Sequence, residues 1–197
     1  MDRTTIHAYD DAAAAFAAEW RSQPAPVDMY ALLERFFVPG GRTADIGCGA
    51  GRDVHWLNGH GFAAVGYDAS PGLLAEARTA YPNYAFHPAA LPELDGVANG
   101  AFDNVLCETV IMHLPGGQIT AACRRLLDLL IPGGVLYLSW RVASDTLSER
   151  DSHGRLYASF DARLVEDGLR GVDILLDVDT LNQSSGKRVR RIVARRT

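Results

Sequence analysis

Short apolar runs alternate with amphipathic segments along most of this chain, and glycine or proline residues separate them. Apolar runs bounded by turn residues are typical of buried parallel strands, whereas apolar positions three and four residues apart are typical of helices. We predict strands at 42–46, 63–67, 84–87, 103–107, 135–140, 172–178 and 188–194. We predict helices at 8–20, 28–37, 52–59, 71–80, 117–130 and 161–169. This alternation indicates an α/β fold with a doubly wound sheet and helices on both faces.

Local signals support several of these boundaries. Ser70 and Pro71 are typical of a helix N-cap and a first helical position. Apolar residues of the helix at 117–130 recur at helical spacing, so we expect them to face the sheet. They are Ile119, Cys123, Leu126, Leu127 and Leu130. The two helices that precede the first strand are placed to cover a ligand crevice.

Composition is that of an ordinary globular domain. The chain has 197 residues, of which 48% are hydrophobic and 22% charged, so one domain with a substantial core is expected. No apolar run approaches the ~20 residues of a membrane span, and the polar start lacks a signal-peptide pattern. We therefore expect a cytoplasmic protein without membrane association. Cys48, Cys107 and Cys123 lack metal-site spacing and are expected to be buried thiols, so no metal is predicted.

The formal net charge of −5 disfavours a nucleic-acid substrate, which usually meets a surplus of Lys and Arg. However, residues 187–197 hold six of the nineteen basic side chains and no acid. We interpret them as solvated charges on a C-terminal strand that protect the sheet from edge pairing. Binding of RNA or of an acidic partner remains the alternative for this segment.

A glycine-rich turn follows the first predicted strand and is the strongest chemical signal. Gly47, Gly49 and Gly51 remove every Cβ from this turn, so a ligand can approach backbone amides and the positive end of the next helix. Asp45 precedes the glycines and would place an anion near a cationic ligand. Asp68 ends the second strand, where a carboxylate accepts hydrogen bonds from both ribose hydroxyls of an adenosine. The GxGxG spacing favours S-adenosylmethionine (SAM), and a nicotinamide cofactor is the alternative.

Two later motifs complete a family pattern. Phe102–Val105 reads FDNV at the start of the fourth strand, and Leu130–Gly134 reads LIPGG before the fifth. With the two acidic positions and the glycine turn, the chain from about Ala44 to Trp140 resembles the class I SAM-dependent methyltransferases. The segments 112–114 (Met-His-Leu) and 139–141 (Ser-Trp-Arg) resemble a small, stand-alone bacterial branch of that family, whose acceptor is unassigned.

The resemblance implies a Rossmann-like sheet of seven strands, mostly parallel, with the last strand antiparallel. It makes residues 1–197 one methyltransferase domain, with an N-terminal helical cap at 1–40, a SAM-binding core at 42–140 and a substrate-side loop with C-terminal strands at 141–197. SAM is the implied cofactor and S-adenosylhomocysteine (SAH) its product, with no metal. The expected cofactor-binding residues are Asp45, Gly47, Cys48, Gly49, Gly51, Arg52, Asp68, Ala69, Ala90, Leu91 and Glu108.

One position departs from the family pattern. Ala89 stands where the family places an acid that accepts a hydrogen bond from the adenine amino group. Adenine recognition would then depend on backbone groups near Ala90 and Leu91 and on apolar contacts. We expect weaker affinity or base selectivity as a result.

Acceptor-site candidates follow the fourth and fifth strands or lie in the N-terminal helices, because ligands of such sheets bind at the carboxyl ends of the strands. Glu108 and His113 are the candidates for a catalytic base, since each has an ionisable side chain after the fourth strand. The structural alternative is that Glu108 caps the next turn or faces water and that His113 packs in the core. The substrate-binding candidates are Tyr9, Arg141, Arg150 and Arg155. The alternative for each arginine is that it is a solvated surface charge.

The predicted activity is SN2 transfer of the SAM methyl group to oxygen, nitrogen or carbon of a small-molecule acceptor. Several alternatives remain open. A SAM-binding sensor or partner protein without turnover is one, and a nicotinamide-dependent reductase or an RNA methyltransferase are less favoured. Either a monomer or a homodimer is compatible with the sequence.

Overall fold

The computed structural model describes residues 1–142 and 149–197. The helices are α1 (Arg3–Asp11), α2 (Ala13–Ser22), α3 (Val27–Phe36), α4 (Arg52–Gly59), α5 (Pro71–Ala80), α6 (Ile119–Asp128) and α7 (Arg163–Gly168). The strands are β1 (Arg42–Ile46), β2 (Ala63–Asp68), β3 (Phe86–Pro88), β4 (Phe102–Cys107), β5 (Leu130–Arg141), β6 (Glu149–Arg150), β7 (Leu156–Tyr157), β8 (Val172–Leu181) and β9 (Arg188–Arg196). Within these two ranges the longest helices have 10 residues, so none has the length and apolar character that a membrane span requires.

The main sheet has seven strands in the order β3-β2-β1-β4-β5-β9-β8. β1 pairs in parallel with both β2 and β4, so the strand order reverses at β1. β9 runs antiparallel to both of its neighbours, β5 and β8. The predicted fold class is confirmed, and the switch in strand order creates the crevice at the carboxyl ends of β1 and β4.

Apolar side chains on both faces of the sheet form the core. On one face, α6 packs against strand residues such as Val105 and Leu136. On the other face, α3, α4 and α5 cover residues such as Leu106 and Val193. The five apolar residues predicted to face the sheet from 117–130 are all buried. The three cysteines are also buried and free, as predicted.

The predicted helix at 8–20 is in fact two helices. α1 begins five residues earlier, where the Asp2 side chain accepts a hydrogen bond from the Thr5 amide and caps the helix. The break lies at Ala12, which has φ −118° and ψ 22°. Next to it, Asp10 accepts hydrogen bonds of 2.7 Å from the Ser70 hydroxyl and from the Gly72 amide. Alanine favours helix at every position, so the alanine-rich sequence does not show this break.

Several other boundaries move. α6 ends at Asp128, and β5 begins at Leu130, so the Pro132-Gly133 pair lies within the strand. The register shift between β4 and β5 accommodates this pair, because Leu130 lies opposite Phe102 whereas Val135 lies opposite Asn104. β8 and β9 each extend further than predicted, to Leu181 and Arg196.

The substrate-side loop expected after the fifth strand contains regular structure. Residues 143–148 lie outside the described part of the chain. β6 and β7 form a hairpin that packs on α1, where the Leu156 amide donates a hydrogen bond of 2.9 Å to the Thr5 hydroxyl. This contact brings the hairpin to the N-terminal cap.

The basic C-terminal strand differs from its interpretation as a solvated edge. β9 lies between β5 and β8, and acidic residues neutralise much of its charge. Arg190 pairs with Asp177 at 2.6 Å, and Arg188 pairs with Asp179 at 3.1 Å. Arg191 is 3% exposed and pairs with Asp28 of α3 at 2.7 Å. Three of its arginines therefore have acidic partners within the fold.

Candidate functional site

A cleft of about 240 Å³ opens at the carboxyl ends of β1, β2 and β4. The glycine turn forms its floor, and the N-terminal helices, the β6–β7 hairpin and the β8–β9 turn form its walls. It brings together most of the residues expected at the site. Those that line it are Tyr9, Gly47, Cys48, Gly49, Arg52, Asp68, Ala69, Leu91, Glu108, His113, Arg141 and Arg155.

Four of the expected residues do not line the cleft. Asp45 is 3% exposed and lies beneath the turn. Gly51 and Ala90 adjoin lining residues but face elsewhere, and a Cβ on Gly51 would come within 2.8 Å of the Phe86 ring. Arg150 lies on the outer side of the hairpin, where its guanidinium donates to the Asp2 carboxylate at 2.9 and 3.0 Å. Arg150 therefore ties the hairpin to α1 and is not placed to contact a ligand in the cleft.

The glycines are required by backbone geometry and by close packing. Gly47 has φ +78°, and a Cβ there would overlap the Val110 side chain. Gly49 has φ +53°, and a Cβ there would lie 2.8 Å from the Trp20 ring. Side chains at either position would strain the turn and fill space at the floor of the cleft.

The Asp68 carboxylate anchors the glycine turn. Its two oxygens accept hydrogen bonds of 2.8 Å from the Gly49 and Ser70 amides. Burial raises the pKa of Asp68, and these amides oppose that effect. Each carboxylate oxygen has a further lone pair, so Asp68 can also accept from ligand hydroxyls in the cleft.

Four carboxyl groups surround the glycine turn. Burial, with the neighbouring Asp53 and Asp68 charges, raises the pKa of Asp45 well above its usual range. Glu108 adds to this repulsion, and Arg52 opposes it. Oδ2 of Asp45 is buried and has no hydrogen-bond partner among the described residues. This acidic environment suits a ligand that carries positive charge, as the sulfonium and ammonium groups of SAM do, and disfavours an anionic dinucleotide.

Glu108 lies at the end of β4 and is held by two other elements. One carboxylate oxygen accepts from the Ser139 hydroxyl of β5, and the other accepts from the Asn182 side-chain amide at 2.8 Å. Burial raises the pKa of Glu108, while Ser139 and the nearby Arg191 oppose the increase. Glu108 is therefore fixed in one orientation at the edge of the cleft.

His113 and Tyr9 form a hydrogen-bonded pair in the opposite wall. The His113 Nδ1 atom lies 2.5 Å from the Leu156 carbonyl oxygen, and Nε2 lies 3.0 Å from the Tyr9 hydroxyl. A carbonyl only accepts, so Nδ1 carries the proton and donates. Burial is the main cause that lowers the pKa of His113, to about 4. The ring is thus neutral near pH 7, with an Nε2 lone pair that accepts the Tyr9 proton.

The two arginines of this wall differ in their partners. The Arg155 guanidinium pairs with Asp151 at 2.6 Å and lies 4.6 Å from the centre of the Phe16 ring. The Arg141 guanidinium lies over the Tyr157 ring at 4.9 Å. Within the described ranges it has no hydrogen bond or ion pair. Arg155 is thus fixed by a carboxylate, whereas Arg141 lines the cleft without an acidic partner among the described residues.

Sequence reasoning missed the β8–β9 turn. Asn182, Ser184 and Ser185 line the cleft, and the Arg52 guanidinium donates to the Ser184 hydroxyl at 3.4 Å. The polar run at 182–186 signals a turn, but nothing local places that turn beside Glu108. Tyr157 also lines the cleft and was missed, because its short strand has no clear pattern.

Residues 44–134 match a family model described as a methyltransferase domain. Ubiquinone biosynthesis O-methyltransferase from Xanthomonas campestris is 30% identical to this chain over 118 residues. The aligned region covers 58% of this chain and 48% of that protein. The homologous enzyme from Methylococcus capsulatus is 30% identical over 119 residues. The chain thus spans about half the length of the curated relatives that it matches.

Solved structures share the fold. One is the 1,6-didemethyltoxoflavin-N1-methyltransferase of Burkholderia thailandensis, which was solved with 1,6-didemethyltoxoflavin and SAH. Its TM-score is 0.77 at 20% sequence identity, and the alignment covers 98% of this chain and 88% of that protein. The [4+2]-cyclase SpnF has a TM-score of 0.64 and 18% identity, covering 86% of this chain and 80% of its own. Identities this low establish the fold alone. Residues 44–134 therefore match the methyltransferase domain model, and the fold around them is shared with solved methyltransferase structures.

Proposed function

We propose that this protein transfers the methyl group of SAM to a small-molecule acceptor by an SN2 reaction. One observation carries the proposal. One cleft combines an acidic glycine turn suited to a cationic adenosyl ligand with a wall of aromatic rings and the Arg141 guanidinium, which has no ion pair among the described residues. The first part fits SAM, and the second fits an acceptor of a different chemistry.

We assign the cofactor to the glycine-turn side of the cleft. Asp68 would accept hydrogen bonds from the ribose hydroxyls, and Asp45 would lie near the positive charges. Ala89 and Leu91, which line the cleft beyond β3, would contact the adenine. When bound, SAM supplies a methyl group already activated on its sulfonium, so the protein mainly aligns the acceptor and excludes water.

We assign the acceptor to the opposite wall, where Tyr9, His113, Tyr157 and Arg141 line the cleft. Flat aromatic side chains suit a planar acceptor, and a guanidinium fork suits a carboxylate or phosphate. Among the similar proteins, one is named an O-methyltransferase and another an N1-methyltransferase, so oxygen and nitrogen are the leading candidates for the methylated atom.

Calorimetry with SAM, SAH and NADH tests the cofactor assignment. We expect SAM and SAH to bind and NADH not to bind, because the acids around the turn repel its phosphates. Preferential binding of NADH would overturn the proposal and favour a reductase. A screen of aromatic metabolites with isotope-labelled SAM then tests whether the methyl group is transferred.

The Arg141→Ala variant tests the acceptor assignment. For an anionic acceptor found in the screen, we expect kcat/KM to fall by roughly ten- to a hundredfold, since a charge-assisted hydrogen bond contributes about 1.5–3 kcal/mol. SAM affinity should stay within about twofold of the parent. The Arg150→Ala variant is the matched control, because that arginine pairs with Asp2 outside the cleft. Equal losses in both variants would contradict the assignment.

A SAM-binding protein without methyl transfer is the second candidate function. It is favoured by the Glu108 carboxylate, whose two oxygens are already engaged by Ser139 and Asn182. It is also favoured by the occurrence of this fold in a protein named as a cyclase. Tight SAM binding without transfer to any acceptor in the screen would support it.

A further inference from the structure

We propose that Tyr9 and His113 form a proton relay that takes the proton from an aromatic hydroxyl group of the acceptor. The inference rests on the proposed methyl-transfer function and extends it to the acceptor class and to the base. Neither residue alone has the geometry for this role. Together they connect the open cleft to a buried proton acceptor.

The direction of each hydrogen bond in the pair is fixed by chemistry. The Leu156 carbonyl accepts from His113 Nδ1, so His113 is held as the tautomer whose Nε2 is unprotonated. The Tyr9 hydroxyl therefore donates to Nε2 at 3.0 Å. A hydroxyl that donates its one proton keeps two lone pairs, with which it can accept a proton from a second group. Arg155 donates to that oxygen at 3.5 Å, and Tyr9 lines the cleft.

Tyr9 is the more exposed member of the pair. His113 is 4% exposed, and the Tyr9 and Tyr157 rings lie against it edge-on, at 5.6 and 5.1 Å between ring centres. An acceptor hydroxyl would meet the Tyr9 oxygen first. The proton would then reach His113 through Tyr9.

The charged groups around His113 come from several elements. Arg141 at the end of β5 and Arg155 of the hairpin both disfavour a second positive charge, and Asp151 of the hairpin favours it. Burial raises the pKa of Tyr9 in α1. Arg155 opposes this increase, and Asp68 of β2 adds to it. His113 is consequently neutral at physiological pH and ready to accept a proton, whereas burial keeps the Tyr9 hydroxyl protonated.

Methylation of an aromatic hydroxyl group releases one proton from the acceptor. As the acceptor oxygen bonds to the methyl carbon, the electron pair of the broken C–S bond stays on sulfur. The acceptor proton passes to the Tyr9 oxygen, and the Tyr9 proton passes to His113 Nε2, which leaves an imidazolium. An alkylated hydroxyl is far more acidic than an imidazolium, so this transfer becomes favourable as the new C–O bond forms. The proton returns through Tyr9 to solvent after the product leaves.

Two probe acceptors separate a relay from a packing role. 3-Hydroxybenzoate carries its hydroxyl proton at pH 8, whereas 3-hydroxy-4-nitrobenzoate has lost it, and both have a carboxylate for Arg141. We expect Tyr9→Phe and His113→Gln to lower kcat with 3-hydroxybenzoate by about a hundredfold or more, in line with general-base contributions. With the ionised nitro compound, kcat should change less than about threefold. Tyr84→Phe, away from the cleft, is the matched control.

A second readout does not depend on turnover. In protein labelled with ¹⁵N-histidine, nuclear magnetic resonance should show His113 protonated on Nδ1, with a pKa of about 4. In Tyr9→Phe its titration should move to higher pH, because the neutral ring loses a hydrogen bond.

Each outcome bears on the relay. Equal loss of kcat with both probes in Tyr9→Phe, loss with neither, or methylation of neither probe by the parent would overturn it. So would a His113 ring protonated on Nε2. Calorimetric SAM binding separates the two levels of inference, because its absence in the parent would refute the proposed function itself.

Discussion

At the scale of single residues, the site depends on carboxylates held in defined orientations. Asp68 shows how structural and binding roles combine. Its oxygens fix the glycine turn through two amides and still face the cleft. The sequence predicted its ribose role but not its support of the turn, because the Gly49 amide comes close only when β1 and β2 lie side by side.

Replacing Asp68 tests that residue directly. We expect Asp68→Ala to weaken SAM binding by roughly ten- to a hundredfold in calorimetry, because charged hydrogen bonds contribute about 1.5–3 kcal/mol each. Asp68→Asn should lose less, since its amide oxygen can still accept from one backbone amide. Asp95→Ala, at an exposed position, should leave the affinity unchanged. An unaltered affinity in Asp68→Ala would refute the assigned cofactor position.

Ala89 offers the converse experiment, a gain of affinity. It lines the cleft after β3, where the family pattern places an acid. We expect Ala89→Asp to tighten SAM and SAH binding by about 1 kcal/mol, or about fivefold, if one hydrogen bond to the adenine amino group forms. Ala89→Leu, which adds bulk without an acceptor, should not tighten it. A folded Ala89→Asp protein with parental affinity would disprove this account of the departure.

At the scale of elements, β9 connects the cap to the sheet. Its Arg191 reaches α3 and pairs with Asp28, and the guanidinium Nε and Nη2 atoms have no partner among the described residues. The same arginine favours the ionised form of Glu108 at the cleft. β9 is thus an interior strand whose buried Arg191 charge interacts with both α3 and the site. Solvated charges on a strand would not make this connection.

Removing that buried charge should be costly. We expect Arg191→Leu to lower the free energy of unfolding by about 3–5 kcal/mol, since Asp28 is left buried and unpaired. Arg188→Leu should cost about 1 kcal/mol or less, because its ion pair is exposed. Urea denaturation measures both. Similar losses in the two variants would show that burial of the Arg191–Asp28 pair does not increase its contribution to stability.

At the scale of the whole molecule, the fold gathers acids from separate strands into one place. Asp45 of β1, Asp68 of β2 and Glu108 after β4 meet near the glycine turn because parallel strands end at the same edge of the sheet. Burial is the main cause that raises the pKa of each group, and for Asp45 the neighbouring carboxylates add to it, so a bound cation would favour the ionised forms.

This arrangement predicts a pH dependence of SAM binding. The raised pKa means that Asp45 retains a proton in the free protein above the pH at which an ordinary aspartate ionises. A bound cation favours the carboxylate and lowers that pKa, so binding releases a proton. SAM affinity should therefore rise as pH increases through the raised pKa, and it should level off above it.

Calorimetry in buffers of different ionisation enthalpy measures the released proton. Asp45→Asn is the control, since it cannot ionise and should bind more weakly with a flatter pH dependence. A binding enthalpy that is the same in all buffers would contradict proton release from Asp45.

The order of the elements, the glycine turn and the paired acids could be predicted from the sequence, because each depends on residues close together in the chain. The helical spacing of apolar residues likewise identified the core face of α6. These features fix the family fold and the side of the sheet on which a ligand binds.

Contacts between residues far apart in the chain became visible only in the folded protein. It placed Asn182 on Glu108, 74 positions away, and it paired Arg150 with Asp2, 148 positions away. It also joined Tyr9 to His113, two residues that the sequence suggested separately for different roles. Such contacts depend on how helices and turns pack on the sheet, and local patterns of polarity do not indicate that packing.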